Sequence, residues 1–188
     1  MKYAVFIITY ERENILKGTI ESFFNQTLPP ESIIIVDNSE SYKSKELVDS
    51  LNNPKINYYR VGYNSGPSGG AFYGLQKMLE TNCDWFFWGD DDDPPAQNNL
   101  IENIFDILSH VNEETCGQLG LVGSRFNEVT GELKRLDNDE LKANKIIEVD
   151  GIGGGQCKII SRKVVEKGIL PDKKLFFGFE DLDIDIKI

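Results

Sequence analysis

The residues best suited to chemistry in this chain are four consecutive aspartates at positions 90–93. Four like charges side by side repel one another, and a divalent cation such as Mg²⁺ or Mn²⁺ would relieve that repulsion because both metals prefer oxygen ligands. The alternative is a solvated acidic turn closed by Pro94 and Pro95. The aspartates follow a Trp-Phe-Phe-Trp run at 85–88, with only Gly89 between them. This apolar neighbour favours a metal site over a plain surface turn.

A second acidic group lies at 180–185, directly after the apolar run 175–179. Both acidic groups adjoin strand-like residues, so we expect them to meet at one edge of a sheet. One group would hold a metal, and the other would supply a carboxylate as general base for an acceptor hydroxyl. That combination suits transfer from a diphosphate leaving group. The chain shows no Ser/His or Cys/His arrangement of the kind that hydrolytic triads use.

Two glycine-rich stretches precede the acidic groups in the sequence, one at 62–70 before the first group and one at 153–155 before the second. A glycine-rich entry to a helix can present backbone N–H groups to a phosphate. The first stretch matches neither the dinucleotide fingerprint nor the P-loop pattern, so a flexible loop is an equal alternative. The second stretch predicts a loop, or a place where a ligand approaches the backbone closely.

Apolar runs predict the elements that position these residues. Strands are predicted at 3–9, 32–36, 56–61, 85–89, 119–123, 146–149 and 157–160, with a hairpin at 128–133. Helical spacing marks segments near 16–24, 43–51, 71–79 and 100–108. The alternation predicts an α/β fold with a mostly parallel, doubly wound central sheet flanked by helices, followed by a smaller mixed C-terminal part. Ligands bind such sheets at the carboxyl ends of the strands, which is where 90–93 lie.

Composition and charge exclude several classes of protein. The 188 residues fit one domain, in which we expect a nucleotide-binding half at about 1–95 and a sugar and acceptor half at about 96–188. The net charge of −11 argues against nucleic-acid binding, which needs a basic face. Three scattered cysteines form no disulfide framework, and no apolar run is long enough to span a membrane. We expect a cytoplasmic protein, and the acidic group close to Ile188 suggests a piece of a longer chain.

Taken in order, these motifs resemble the family 2 glycosyltransferases, which are inverting, metal-dependent enzymes with the GT-A fold that use nucleotide sugars. The resemblance extends over essentially the whole chain and rests on six segments, at 8–12, 36–39, 64–70, 90–95, 153–155 and 176–183. Each segment alone is a weak signal, but six in the right order are specific. The chain departs from the family pattern at Glu11, where Asn is frequent, at Ser39, where Gly is frequent, and at Lys187, where Arg is frequent.

The resemblance implies a nucleotide-binding role for the early turns and the first glycine-rich stretch. The residues concerned are Thr9, Tyr10, Arg12, Asp37, Gly66, Gly69 and Gly70. Asp37 would read the edge of the base, which in this family is usually uracil or thymine. The expected donor is therefore a UDP- or dTDP-sugar.

The same resemblance implies roles for the acidic groups. Asp92 is the first candidate for a ligand of Mn²⁺ or Mg²⁺ and Asp90 the second, although the register within 90–93 leaves Asp91 and Asp93 open as metal contacts. Asp90 and Asp91 are also candidate donor contacts. Asp181 is the expected general base, with Glu180 as the second candidate. Trp88 and the 153–155 loop would border the sugar.

The implied function is transfer of a sugar from a nucleoside-diphosphate donor to a hydroxyl of a glycan or lipid-linked acceptor. Rhamnosyl- and galactofuranosyl-type transferases share this pattern, which implies polysaccharide synthesis for the cell envelope with at most peripheral association at the inner face of a membrane. One alternative is a catalytically silent nucleotide-sugar-binding domain of a larger assembly protein. A sugar nucleotidyltransferase is disfavoured, because the turn at 9–13 is acidic and lacks glycine.

Overall fold

The computed structural model describes residues 1–143, 146–153 and 157–188. Within these ranges the strands are β1 (Tyr3–Thr9), β2 (Ile33–Asp37), β3 (Ile56–Arg60), β4 (Trp85–Asp90), β5 (Gln118–Leu119), β6 (Ser124–Asn127), β7 (Glu132–Arg135) and β8 (Ile159–Ser161). The helices are α1 (Glu13–Phe24), α2 (Lys43–Leu51), α3 (Gly66–Met78), α4 (Leu100–Leu108), α5 (Asn138–Ala143), α6 (Arg162–Glu166) and α7 (Glu180–Lys187), and Lys173–Leu175 forms a 3₁₀ turn.

The central sheet has the strand order β3-β2-β1-β4-β8-β5. Strands β1 to β4 run parallel, because each is reached through a crossover helix. Strand β8 is antiparallel to both β4 and β5. The predicted α/β fold with a mostly parallel sheet flanked by helices is confirmed.

The core lies on both faces of this sheet. Every residue of β1 is buried, as expected for a strand covered on both sides. Successive side chains alternate between the faces, so Val5 and Ile7 pack with α1 and α4, whereas Phe6 and Ile8 pack with α3. This packing fixes the strand ends from which the polar turns emerge.

The second half of the chain departs from the strand predictions. The run 119–123 contributes only its first residue to β5, since glycines at 120 and 123 weaken a regular strand. The run 146–149 forms no strand, and β8 begins at Ile159 rather than at 157. The predicted hairpin exists, but it spans β6 and β7 with 128–131 as its turn.

The second acidic group lies on a helix, not at the end of a strand. Glu180 and Asp181 occupy the first turn of α7, where carboxylates interact favourably with the helix dipole. Ile184 buries the apolar face of α7 in the same cluster as α3. The expectation of a strand-like carrier for this group is therefore wrong, because the segment forms a helix that buries Ile184 and Asp185 on one side.

Candidate active site

Three of the predicted site residues meet at the carboxyl edge of the sheet. Parallel pairing sets Thr9 opposite Asp37, and it sets Ile8 opposite Asp90. The polar turns after β1, β2 and β4 therefore emerge side by side. This is the edge at which the sequence predicts ligand binding.

Asp91 points into the protein and ties the first turn to the fourth strand. Its side chain is buried, and its Oδ2 accepts a hydrogen bond from Thr9 Oγ1 at 2.7 Å. Arg12 Nη1 donates to its Oδ1 at 3.2 Å, and Thr19 Oγ1 donates to its carbonyl oxygen at 2.5 Å. Burial raises the pKa of Asp91, while Thr9 and Arg12 act in the opposite direction. In this arrangement Asp91 organises the edge of the site.

Asp92 faces solvent, in contrast to Asp91. Its Oδ2 accepts a hydrogen bond from Arg12 Nη1 at 2.6 Å, and about half of each side chain is exposed. Exposed ion pairs contribute little free energy, so another cation can easily replace the Arg12 guanidinium as the partner of Asp92. Arg12 therefore bridges Asp91 and Asp92 and joins the turn after β1 to the turn after β4.

Asp90 lies where the two acidic groups meet. Burial raises the pKa of Asp90 to about 7, and the next cause is the charge of Asp181, followed by those of Asp92, Asp91 and Asp93. The first turn of α7 therefore stands next to the end of β4. The expectation that the two acidic groups share one edge of the sheet holds, although a helix delivers the second group.

Asp37 is fully buried beneath this edge. Its Oδ2 accepts a hydrogen bond from the Tyr58 hydroxyl at 2.6 Å, and its Oδ1 accepts from the Ser39 N–H at 2.8 Å. Burial, together with this hydrogen bond to Asp37, raises the pKa of Tyr58. These contacts fix the turn after β2, and the base-reading role of Asp37 stays a prediction.

The glycines of the first glycine-rich stretch lie in the first turns of α3. A Cβ on Gly70 would stand 2.7 Å from Ile8 Cγ2, and one on Gly69 would stand 2.4 Å from Ser65 Oγ. Gly66 has a φ of +68°, and a Cβ there would lie 2.1 Å from the carbonyl oxygen of Phe176. The glycines at 66–70 thus permit close packing of a helix, so a flexible loop is wrong for this part of the stretch, whereas 62–65 lie in no helix or strand.

Asn38 connects this helix to the site, a link that the sequence reasoning missed. Its Nδ2 donates to the carbonyl oxygen of Gly66 at 3.0 Å, and its Oδ1 accepts from Ser65 Oγ at 2.8 Å. The Ser68 N–H donates to the carbonyl oxygen of Phe176 at 3.2 Å. One amide of the first turn of α3 is therefore already engaged and points at protein, not at a phosphate.

Two aromatic residues predicted to border the donor have different surroundings. Tyr10 is exposed beside the turn after β1. Trp88 is buried near the end of β4, where its ring stacks at a tilt against Phe6 with 5.7 Å between centroids. Of the 153–155 loop, Gly153 is exposed, and residues 154 and 155 lie outside the described residues.

Lys158 is the most unexpected member of the site. Its side chain is only 1% exposed, and its Nζ donates to Asp185 Oδ1 at 2.7 Å and to Asp181 Oδ1 at 3.4 Å. The signal that could have revealed it is a lysine inside the otherwise apolar run 157–160. The expected general base therefore has a buried cation as its neighbour.

Glu180, the second candidate for the base, is partly enclosed. Its Oε2 is buried and has no hydrogen-bond partner in the described part of the chain. Burial is the main reason that the pKa of Glu180 is raised. One oxygen of this carboxyl group is therefore out of reach of an acceptor.

No group of three or more His, Cys, Asp or Glu side chains within 1–143, 146–153 and 157–188 is arranged to hold a metal ion. In the same ranges, no helix is long and apolar enough to cross a membrane.

Comparison with known proteins gives consistent results. A family model described as "Glycosyl transferase family 2" matches residues 4–169. The galactofuranosyltransferase GlfT1 of Mycolicibacterium smegmatis is 23% identical over 194 residues, which cover 95% of this chain and 62% of that protein. The chain thus spans less than two thirds of the length of this curated relative.

Solved structures resemble the chain over nearly its whole length. The S. aureus TarS fragment 1–349 in complex with UDP superposes with a TM-score of 0.62 at 13% identity, covering 98% of this chain and 54% of that one. The Pyrobaculum calidifontis mannosyltransferase PcManGT, in complex with GDP-Man and Mn²⁺, has a TM-score of 0.64 at 12% identity, covering 96% and 50% respectively. At these identities the likeness establishes the fold.

Proposed function

The chain belongs to glycosyl transferase family 2, and on that premise we propose that it transfers a sugar, with inversion, from a nucleoside-diphosphate donor to an acceptor hydroxyl. Its fold is the GT-A fold that the sequence predicts. The observation that carries the proposal is that the end of β4 adjoins the first turn of α7. Lys158 Nζ, which lies 3.4 Å from Asp181, is 5.3 Å from the ring of Trp88, and the charge of Asp181 is, after burial, the next cause of the raised pKa of Asp90. This arrangement supports the proposal, because it brings the proposed donor-side carboxylate and the proposed general base to one edge of the sheet.

Asp181 acts as the general base in this proposal. It takes the proton of the acceptor hydroxyl, whose oxygen forms a bond to the anomeric carbon as the bond from that carbon to the diphosphate oxygen breaks. Asp181 keeps about a quarter of its side chain exposed, so an acceptor can reach it. Glu180 is the weaker candidate, because its Oε2 is buried.

Asp92 and Asp90 would hold Mn²⁺ or Mg²⁺ in this proposal. The fit rests on Asp90, whose pKa is raised first by burial and then by the charges of neighbouring carboxylates, because a bound cation would relieve the repulsion among these charges. Two protein carboxylates suffice, since Mg²⁺ is often held by one or two carboxylates together with substrate phosphates. When bound, the metal supplies positive charge that stabilises the departing diphosphate.

The proposed donor is a UDP- or dTDP-sugar. Thr9, Tyr10, Arg12 and Asp37 would line the nucleotide pocket, in agreement with the common edge at which the turns after β1 and β2 emerge. UDP is the ligand of the TarS fragment, and GDP-Man is the ligand of the mannosyltransferase. A GDP-sugar therefore belongs in any screen of donors.

The proposed acceptor is a glycan or a lipid-linked glycan of the cell envelope. We propose that this sugar transfer takes place in the cytoplasm, with at most peripheral attachment of the protein to the inner face of the membrane. The galactofuranosyltransferase relative supports a role in polysaccharide synthesis, but the chain spans only 62% of its length.

Calorimetric titration of UDP-, dTDP- and GDP-sugars, with Mn²⁺ and with EDTA, tests donor binding. We expect one class of donor to bind in the presence of Mn²⁺ and to lose affinity in EDTA. Absence of binding to every donor in the presence of metal would contradict the proposal. Metal-dependent binding without any turnover would instead favour the silent donor-binding domain.

A further inference from the structure

Lys158 is a charged residue placed almost entirely inside the protein. It directly precedes β8, and its carbonyl oxygen accepts a hydrogen bond from the Trp88 N–H at 3.0 Å, which fixes its backbone against β4. Removal of an ammonium group from water is strongly unfavourable unless hydrogen-bonded carboxylates compensate for the lost hydration. Its partners therefore explain why a lysine is tolerated here.

Asp185 anchors the lysine. Asp185 Oδ1 accepts from Lys158 Nζ at 2.7 Å, and its Oδ2 accepts from the Ile152 N–H at 2.7 Å. The side chains of Asp185 and Lys158 are both almost completely buried. The ammonium group is thus fixed in place by a carboxylate that is itself fixed by the backbone.

Asp181 lies one helical turn before Asp185, so both carboxylates stand on the same face of α7. The Lys158 ammonium contacts both, at 2.7 Å for Asp185 and 3.4 Å for Asp181. It also lies 5.3 Å from the centroid of the Trp88 ring, next to the predicted sugar pocket. Lys158 therefore stands between the anchor and the expected base.

We propose that Lys158 is a positioning residue that orients the carboxylate of Asp181 and offsets its repulsion by Asp90. This inference rests on the proposed function, since it assigns Asp181 the role of general base. Lys158 itself is too deeply buried to touch an acceptor. It acts through Asp181, whose partly exposed side chain faces the sheet edge on one side and the lysine on the other.

A double-mutant cycle between Lys158→Met and Asp181→Asn tests this role. Loss of the positioning contact should lower kcat by about 10²-fold, because small displacements of a catalytic group have effects of this size. Donor affinity, measured by calorimetry, should stay unchanged. In the D181N background, K158M should lower the residual rate little further, because residues that act as a unit are strongly non-additive.

Two outcomes would overturn the positioning role. One is a kcat that K158M leaves unchanged, and the other is an equal fold loss in the wild-type and D181N backgrounds. The matched control is Lys163→Met on α6, whose exposed ammonium pairs at 2.7 Å with Glu114, a residue outside both acidic groups. This control should leave both kcat and donor affinity at the wild-type level.

A second pair of variants covers the possibility that K158M alone fails to fold, since it leaves Asp185 buried without its cation. K158M/D185N removes both charges, and D185N alone retains the lysine. The inference requires D185N to be at least about tenfold faster than K158M/D185N, a difference of about 1.4 kcal/mol. Equal rates would overturn it. A wild-type protein that transfers no sugar from any donor would overturn the proposed function. The rate comparisons among the variants, made on an active wild type, overturn only the positioning role.

Discussion

Asp181 and Asp90 lie at one edge of the sheet, because Lys158 Nζ lies 3.4 Å from Asp181 and 5.3 Å from the ring of Trp88, two residues before Asp90, and after burial the charge of Asp181 is the largest cause of the raised pKa of Asp90. The two residues come from opposite parts of the chain, one from the end of β4 and the other from the first turn of α7. Proximity of two carboxylates is unfavourable unless a cation or a substrate compensates for it. This juxtaposition is the structural basis of the predictions that follow.

Asp181→Asn should abolish most sugar transfer. General-base catalysis contributes about 10²–10⁴-fold, so we expect a loss of kcat in that range while donor binding is retained. Glu180→Gln serves as the comparison, and it should retain most of the activity. A larger loss in E180Q than in D181N, measured by release of nucleoside diphosphate, would transfer the role of base to Glu180.

Asp92→Asn should remove the metal-dependent part of donor binding. The substitution keeps the size of the side chain but removes the charge that attracts Mn²⁺. Calorimetry with and without Mn²⁺ should then give the same weak affinity. Asp49→Asn, which removes an exposed partner of Lys45 on α2, is the control and should bind donor as the wild type does. Unaltered metal dependence in D92N would move the ligand role to another aspartate of 90–93.

Thr9→Val should destabilise the fold through Asp91. The valine has the shape of threonine but leaves the buried Asp91 Oδ2 without its donor at 2.7 Å, which we expect to lower the free energy of unfolding by about 1–3 kcal/mol. Denaturant titration measures this loss. The equivalent change at Thr27, whose exposed hydroxyl donates to Glu102, should have an effect below about 0.5 kcal/mol. Equal effects at the two positions would contradict the structural role of Asp91.

Gly70→Ala should destabilise the protein because α3 packs directly on the sheet. The added methyl group would overlap Ile8 Cγ2, and overpacking of this kind costs about 1–3 kcal/mol. Gly18→Ala is the matched control, since a Cβ there meets no atom within 4 Å. It lies in α1, where alanine is preferred over glycine by about 0.5–1 kcal/mol, so this variant should be more stable than the wild type. A stabilising effect of G70A would contradict the close packing of α3 against β1.

The sequence allowed the first half of the fold to be predicted because its signals are local. The continuous apolar run Tyr3–Thr9 reads as a strand buried on both faces, and the structure buries all of it. Because the strands are parallel, the turns at 9–12, 37–39 and 90–93 can then be assigned to one edge of the sheet from the sequence alone. The resemblance to family 2 glycosyltransferases is confirmed by the family model, whose match over residues 4–169 includes these turns.

The contacts of the site depend on long-range packing that no local pattern reveals. The run 175–185 reads as an apolar strand with carboxylates, yet burial of Ile184 against the α3 side of the sheet selects a helix. The side chains of Asp90, Asp91 and Asp92 differ in burial, although their sequence context is nearly the same. The role of Lys158 could not be predicted from its neighbours in the sequence, because both of its carboxylate partners come from α7, which follows later in the chain.

Sugar transfer is the most direct test of the proposed function. Wild-type protein and D181N would be incubated with UDP-, dTDP- and GDP-sugars, Mn²⁺ or EDTA, and glycan and lipid-linked acceptors, and the release of nucleoside diphosphate and the anomeric configuration of the product would be measured. We predict release that requires both the metal and Asp181, with a product of inverted configuration. Full activity of D181N, or a product that retains the configuration of the donor, would contradict the assignment of Asp181 as the base of an inverting transfer.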